Sequence, residues 1–148
     1  MELVSEITAR LENKPGRLAK ICSALAQEKV DLLAISVMES DGASVLRLVT
    51  SDPATARRIL TGLGTESTLA EVVAIQVENR TGALAGVLEK LAEEHINIDY
   101  AYVSSASTQG KALGILHVAN LKRAQQVLRE PAAPGAEKAG GRRPLHSR

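Results

Sequence analysis

Two short segments carry the chemistry legible in this sequence of 148 residues. Asn13-Lys14-Pro15-Gly16 and Asn79-Arg80-Thr81-Gly82 each stand between an alternating apolar stretch and a helical one. A turn placed there exposes the first backbone N–H groups of the helix and the positive end of its dipole, which suits a carboxylate or a phosphate. Gly lets a ligand approach the backbone closely, and an Asn side chain both donates and accepts. A single loop of this kind needs no more explanation than a tight turn and a cap. Its recurrence beside a second polar position points to binding. That position is Asp31 in the first case and Asn97 in the second, each 18 residues after its loop Asn. The helix returns the chain to the same sheet face, so the loop Asn and this polar residue are expected to converge.

Composition excludes several alternatives. The apolar fraction is 45% and the charged fraction 24%, the balance of a chain that buries a core. Two Tyr with no Phe and no Trp leave no stacking platform for single-stranded nucleic acid, and a net charge of +1 gives no electrostatic footprint for it. One Cys rules out an internal disulfide and a Cys-rich zinc site, and three scattered His suggest no metal cluster. No cofactor motif and no Ser/His/Asp or P-loop spacing appears, so an enzyme is not expected. No apolar run reaches a membrane span, and Met1–Glu6 lacks the features of a signal peptide, so the expected location is the cytoplasm. Residues 129–148 are rich in Pro, Ala and Gly and carry Arg129, Lys138, Arg142, Arg143 and Arg148 against Glu130 and Glu137. They read as a disordered basic tail.

The elements that position the two loops come from an internal repeat. Leu11-Glu12-Asn13-Lys14-Pro15-Gly16-Arg17-Leu18-Ala19 aligns with Val77-Glu78-Asn79-Arg80-Thr81-Gly82-Ala83-Leu84-Ala85 at an offset of 66, which becomes 68 after a two-residue insertion. Ile7, Ala9 and Leu11 alternate with Glu6, Thr8 and Arg10 as in a half-buried strand, and Val73, Ile75 and Val77 repeat that face. Leu18, Ile21, Cys22 and Leu25 then form one helix stripe, matched by Leu84, Val87, Leu88 and Leu91; Cys22 reads as a packing residue. A strand–turn–strand follows in each copy, over Val30–Met38 and Ser44–Thr50, and over Ile96–Ser104 and Ala112–Val118, with turns at Ser40-Asp41-Gly42 and Thr108-Gln109-Gly110. Tyr100 and Tyr102 are expected on the strand face of Ile96 and Ile98. Asp52 and Asn120 cap a second helix in each copy, and Glu66–Ala70 suits a fourth strand. The fold class is α+β: two ferredoxin-like βαββαβ units with helices on one face of antiparallel sheets. The expected domains are 1–70 and 71–128. No fourth strand is evident after Leu128, so the second sheet is expected either to be three-stranded or to be completed by another segment such as Met1–Ser5 or a partner chain.

On the Asn-x-x-Gly-x-Leu loops and the strand openings Val30-Asp31-Leu32 and Ile96-Asn97-Ile98, residues 5–128 resemble the ACT domains, and in particular stand-alone tandem ACT proteins. The resemblance implies free amino acids as ligands. It places the ligand carboxylate on the loop backbone and the amino group between the loop Asn and the strand-two Asn or Asp. Carried over, the site is Asn13, Gly16 and Asp31, with Pro15, Arg17, Leu18 and Leu32 around them, and Asn79, Gly82 and Asn97, with Ala83, Leu84 and Ile98.

The resulting expectation is a non-enzymatic amino-acid sensor, or alternatively a feedback-regulatory subunit of a separate biosynthetic enzyme. Leu32, Ala34 and Met38 alternate with Leu33, Ile35 and Val37, which suggests a strand buried on both faces, one of them by the other unit or by a second chain in a homodimer. The two sites are expected to be unequal. Asp31 offers a charge where Asn97 offers a dipole, and Pro15 removes an N–H that Thr81 keeps.

Overall fold

The computed structural model describes residues 1–104 and 110–129. Thr108 and Gln109 of the second expected turn lie outside them, as does the basic tail beyond Arg129. The element order is β1 (Glu2–Glu12), α1 (Arg17–Gln27), β2 (Leu32–Ser40), β3 (Ala43–Thr50), α2 (Pro53–Gly62), β4 (Ser67–Glu78), α3 (Ala83–Glu93), β5 (Ile98–Ser104), β6 (Lys111–Val118) and α4 (Leu121–Arg129).

Local chemistry explains most of the boundaries. Asp41 and Gly42, at φ 52° and 78°, make the two-residue hairpin loop between β2 and β3 that a pair of positive φ values permits. The Asp52 side chain accepts from Thr55 N at 3.1 Å and Pro53 opens α2, while Asn120 accepts from Arg123 N at 3.1 Å at the start of α4.

All six strands join one antiparallel sheet in the order β2-β3-β1-β4-β6-β5. That order is a palindrome in which β1 exchanges with β4, β3 with β6 and β2 with β5. The centre of the β1–β4 ladder pairs Ser5 with Glu71, its own equivalent in the repeat. Each central strand therefore serves both units. The Ser67–Ala74 part of β4 pairs with β1, and Val73–Glu78 pairs with β6. The position beside β4 in the second unit is filled by Glu2–Ser5 of β1. β4 runs unbroken through the boundary expected at residue 70.

Two cores lie under the helices. Ile7, Leu11, Ile21, Leu25, Leu46, Leu48 and Leu60 fill the first, and Val73, Leu91, Leu116, Val118 and Val127 the second. A third occupies the opposite sheet face: Ala34, Val49, Val72, Ala74 and Ile115, with Val4, Tyr102 and Leu113 against it. It exists because the sheet curls until its outermost strands, β2 and β5, touch. β2 is nevertheless an edge strand, and its burial on both faces is not observed within one chain. Ala34 is buried, whereas Leu33, Ile35, Val37 and Met38 are 39% to 59% exposed.

Candidate functional site

Each Asn-x-x-Gly loop joins its strand to its helix through a glycine at φ 85°, Gly16 or Gly82, which acts as the helix N-cap. No side chain caps either helix. Backbone bonds tie the turns down, from Arg17 N to Lys14 O and Lys20 N to Gly16 O, and likewise from Ala83 N to Arg80 O and Gly86 N to Gly82 O. The amides between them, of Leu18 and Ala19 and of Leu84 and Ala85, have no backbone acceptor among the described residues. They are the free donors that an anion at a helix start uses.

Beside each loop is a small cavity. The first, about 210 Å3, is lined by Leu11, Glu12, Asn13, Lys14, Arg17, Leu18, Val37 and Ser44. The second, about 190 Å3, is lined by Val77, Glu78, Asn79, Arg80, Leu84, Val103 and Ala112. Apart from Arg17, the linings correspond residue for residue under the repeat. Both are small beside the roughly 300–1,000 Å3 of drug-sized sites, so they suit a single small metabolite. Lys14 Nζ lies 3.0 Å from Glu12 Oε2, and Arg80 Nε lies 2.6 Å from Glu78 Oε2. The hydrogen bond from Lys14 holds the Glu12 carboxyl below its ordinary pKa, and Arg80 does the same to Glu78. Both carboxylates are therefore ionised near neutral pH, as an ammonium partner requires.

The structure does not bring Asp31 to Asn13, or Asn97 to Asn79. Glu12 pairs with Ala43 at one end of β3, and Leu32 pairs with Thr50 at the other. At roughly 3.3 Å per residue the two ends are about 23 Å apart. The expected convergence fails because the helix carries the chain back to the start of the sheet before β2 begins. Asp31 instead bonds through its backbone to Ser51, and the Asn97 backbone O accepts from Ala119 N. Leu32 and Ile98 pack into the helix-side cores rather than at the loops. Of the sequence-derived residues, Asn13, Arg17 and Leu18 line the first cavity and Asn79 and Leu84 the second, while Pro15, Gly16, Gly82 and Ala83 lie in the loops or open the helices without lining them. Glu12, Glu78, Val37 and Val103 were not singled out from the sequence. Their recurrence at the repeat offset of 66 was the available signal.

A second polar cluster lies on the face away from the helices. Tyr100 and Tyr102 do not share the face of Ile98. The register shift between Ile98 and Tyr100 inserts one residue and turns both rings to the other side. There the Tyr102 hydroxyl donates to Glu6 Oε2 at 2.7 Å and the Tyr100 hydroxyl to Glu6 Oε1. Glu6, a residue of the expected solvent side of its strand, is fully buried. The Arg47 guanidinium stands 3.9 Å from the Tyr100 ring centroid, and His117 stacks on the same ring while meeting Asp99 at 2.9 Å. Burial, then the bond to Glu6, raises the Tyr100 pKa to about 12; the same causes raise that of Tyr102.

Comparison with known proteins agrees with this architecture. Protein BT0572 from Bacteroides thetaiotaomicron is similar at 31% identity and a TM-score of 0.77, with 85% of this chain and 86% of that one covered. The ligand-free regulatory subunit of aspartate kinase from Thermus thermophilus is similar in fold at 17% identity and a TM-score of 0.62, covering 87% and 94% of the two chains. E. coli aspartokinase III in complex with lysine and aspartate is similar at 21% identity and 0.52, covering 86% of this chain and 30% of that one. No curated protein matches the sequence. The profile of the ACT domain pair matches residues 2–132, across both units and the strands they share, and the chain belongs to that family.

Proposed function

We propose that the protein is a non-enzymatic regulatory module of the cytoplasm that binds a free amino acid at its strand–helix loops. The observation that carries this reading is the pair of equivalent cavities, each lined by a glutamate and by Leu18 or Leu84, a helix-start residue with a free amide. The amides of Leu18 and Ala19 take the α-carboxylate, Glu12 and Asn13 take the ammonium, and Leu11, Leu18 and Val37 meet the side chain. Leu84 and Ala85, Glu78 and Asn79, and Val77 and Val103 do the same in the second unit. Asp31 and Asn97 stand too far away to take part, so any inequality of the two sites comes from Lys14-Pro15 against Arg80-Thr81.

Val37 lies on the exposed edge of β2, so one wall of the first cavity is open to a neighbour. A second copy along that edge completes it and makes a homodimer. A feedback-regulatory subunit of a separate enzyme is the second reading, favoured by the fold shared with the aspartate kinase regulatory subunit. A pull-down from the native cell separates the two: recovery of a biosynthetic enzyme supports the subunit.

The ligand is tested by thermal shift against the twenty amino acids. A ligand at about 100 times its dissociation constant stabilises the fold by roughly 2.7 kcal/mol. The doubly substituted Asn13→Ala/Asn79→Ala protein is expected to lose the part of that shift that the loop sites contribute. Retention of the full shift in it puts the loop site in the wrong place.

A further inference from the structure

A cavity of about 840 Å3 lies outside both loop pockets. It adjoins the first of them and opens where β4 stops pairing with β1, beyond the Ala9–Ser67 pair. Thr8 stands opposite Arg47 on one side and opposite Thr68 on the other, and Arg10 is the next residue of β1 on that face. All four line the cavity. Arg10 and Arg47 are thus diagonal neighbours, with backbones roughly 7–8 Å apart.

Neither arginine forms an ion pair among the described residues. Among the described residues, Arg10 hydrogen-bonds the Ser40 carbonyl, at 3.4 Å. Arg47 Nε is buried with no hydrogen-bond partner, an arrangement that costs stability until an acceptor arrives. The cavity rim also carries Glu66 and Glu12. The second unit has Gln76 for Arg10, Ile115 for Arg47 and Ala74 for Thr8, so this chemistry belongs to the first unit alone.

We propose that this cleft is a second binding site, for a small zwitterion that carries a carboxylate and an ammonium. Two guanidinium forks match a carboxylate, and the Thr8 and Thr68 hydroxyls supply further donors. Glu66 offers an ammonium a carboxylate at the rim, where Glu12 is already paired with Lys14 and Arg17. Arg47 also rests on Tyr100 of the second unit, whose hydroxyl bonds Glu6 of the first. A carboxylate drawn to Arg47 therefore acts on the contact between the units. The cleft shares Leu11, Glu12 and Arg17 with the first loop pocket, whereas Asn13 lines that pocket and not the cleft, so Asn13→Ala tells the two apart.

Tyrosine emission provides the readout, since Tyr100 and Tyr102 are the only tyrosines and the chain has no Trp or Phe. The full chain is titrated with each of the twenty amino acids, with succinate and with inorganic phosphate, following emission and heat. The expected result is that at least one amino acid shifts the emission, and that Arg10→Met and Arg47→Lys each weaken its binding about tenfold or more while Asn13→Ala leaves it unchanged. Arg10 is exposed, so its substitution is decisive even where the Arg47 variant fails to fold. The assignment is overturned if no amino acid shifts the emission, or if phosphate or succinate binds and no amino acid does. It is overturned equally if Arg10→Met binds as the unsubstituted protein does, or if Asn13→Ala abolishes the signal.

Discussion

The Tyr102 hydroxyl donates to Glu6 Oε2 at 2.7 Å, from β5 at one edge of the sheet to β1 at its centre. With the Tyr100 hydroxyl on the other oxygen, it satisfies a carboxylate that is fully buried. The pair ties the second unit to the first on the face that carries no helix. Hydrogen bonds to a charged group are worth about 1.5–3 kcal/mol. Tyr102→Phe is therefore expected to lower stability by about that amount, and Glu6→Ala, which strands both hydroxyls, by at least as much. Chemical denaturation measures both. A loss under about 0.5 kcal/mol for each, the scale of ordinary surface substitutions, contradicts the role assigned to Glu6.

The same tyrosines make stability fall in strong alkali. Their pKa values are raised in the folded state, Tyr100 to about 12 from an unfolded value of about 10. Below about pH 10 both states hold the proton and the contribution is complete. Above it the unfolded chain releases protons that the folded one keeps, so the contribution is lost as pH rises toward about 12. Denaturation midpoints of the natural protein and of Tyr100→Phe/Tyr102→Phe are expected to draw together over that window. A constant difference refutes the linkage.

Gly16 and Gly82 hold φ 85° with nothing within 4 Å of the place a Cβ would occupy. The cost of Gly16→Ala or Gly82→Ala is then purely conformational, about 1–2 kcal/mol. Equal losses for the two are expected in thermal denaturation, because the turns are equivalent. A much larger loss at one of them would mean that its side chain meets a neighbour after all.

The exposed edge of β2 predicts association. Light scattering at micromolar concentration is expected to give a dimer, and Val37→Lys, which puts a charge on that edge, a monomer. A dimer that survives Val37→Lys lies elsewhere on the surface.

Much of the fold is legible without the structure, because its causes are local. The Asn13–Gly16 and Asn79–Gly82 turns announce themselves by residue type and by recurrence, and glycine is what φ 85° requires. Asp52-Pro53 starts α2 by capping, and the alternation of Ile7, Ala9 and Leu11 assigns the helix-facing side of β1. A period of two reports which residues share a face. It does not report what lies against the other face, and so Glu6, Thr8 and Arg10 read alike although Glu6 is buried and Arg10 exposed.

Tertiary structure alone decided three things. It merged the fourth strand of one unit and the first of the next into β4, since only the Ser5–Glu71 pairing lets one strand serve both ladders. It separated Asp31 from Asn13, because distance along an antiparallel sheet depends on strand direction and not on spacing in the chain. It gathered Glu6, Arg47, Tyr100 and Tyr102 from three strands, which required a bulge after Ile98 and a sheet that curls upon itself. Each is a contact between residues distant in sequence, fixed by the free energy of closing the whole sheet rather than by any local preference.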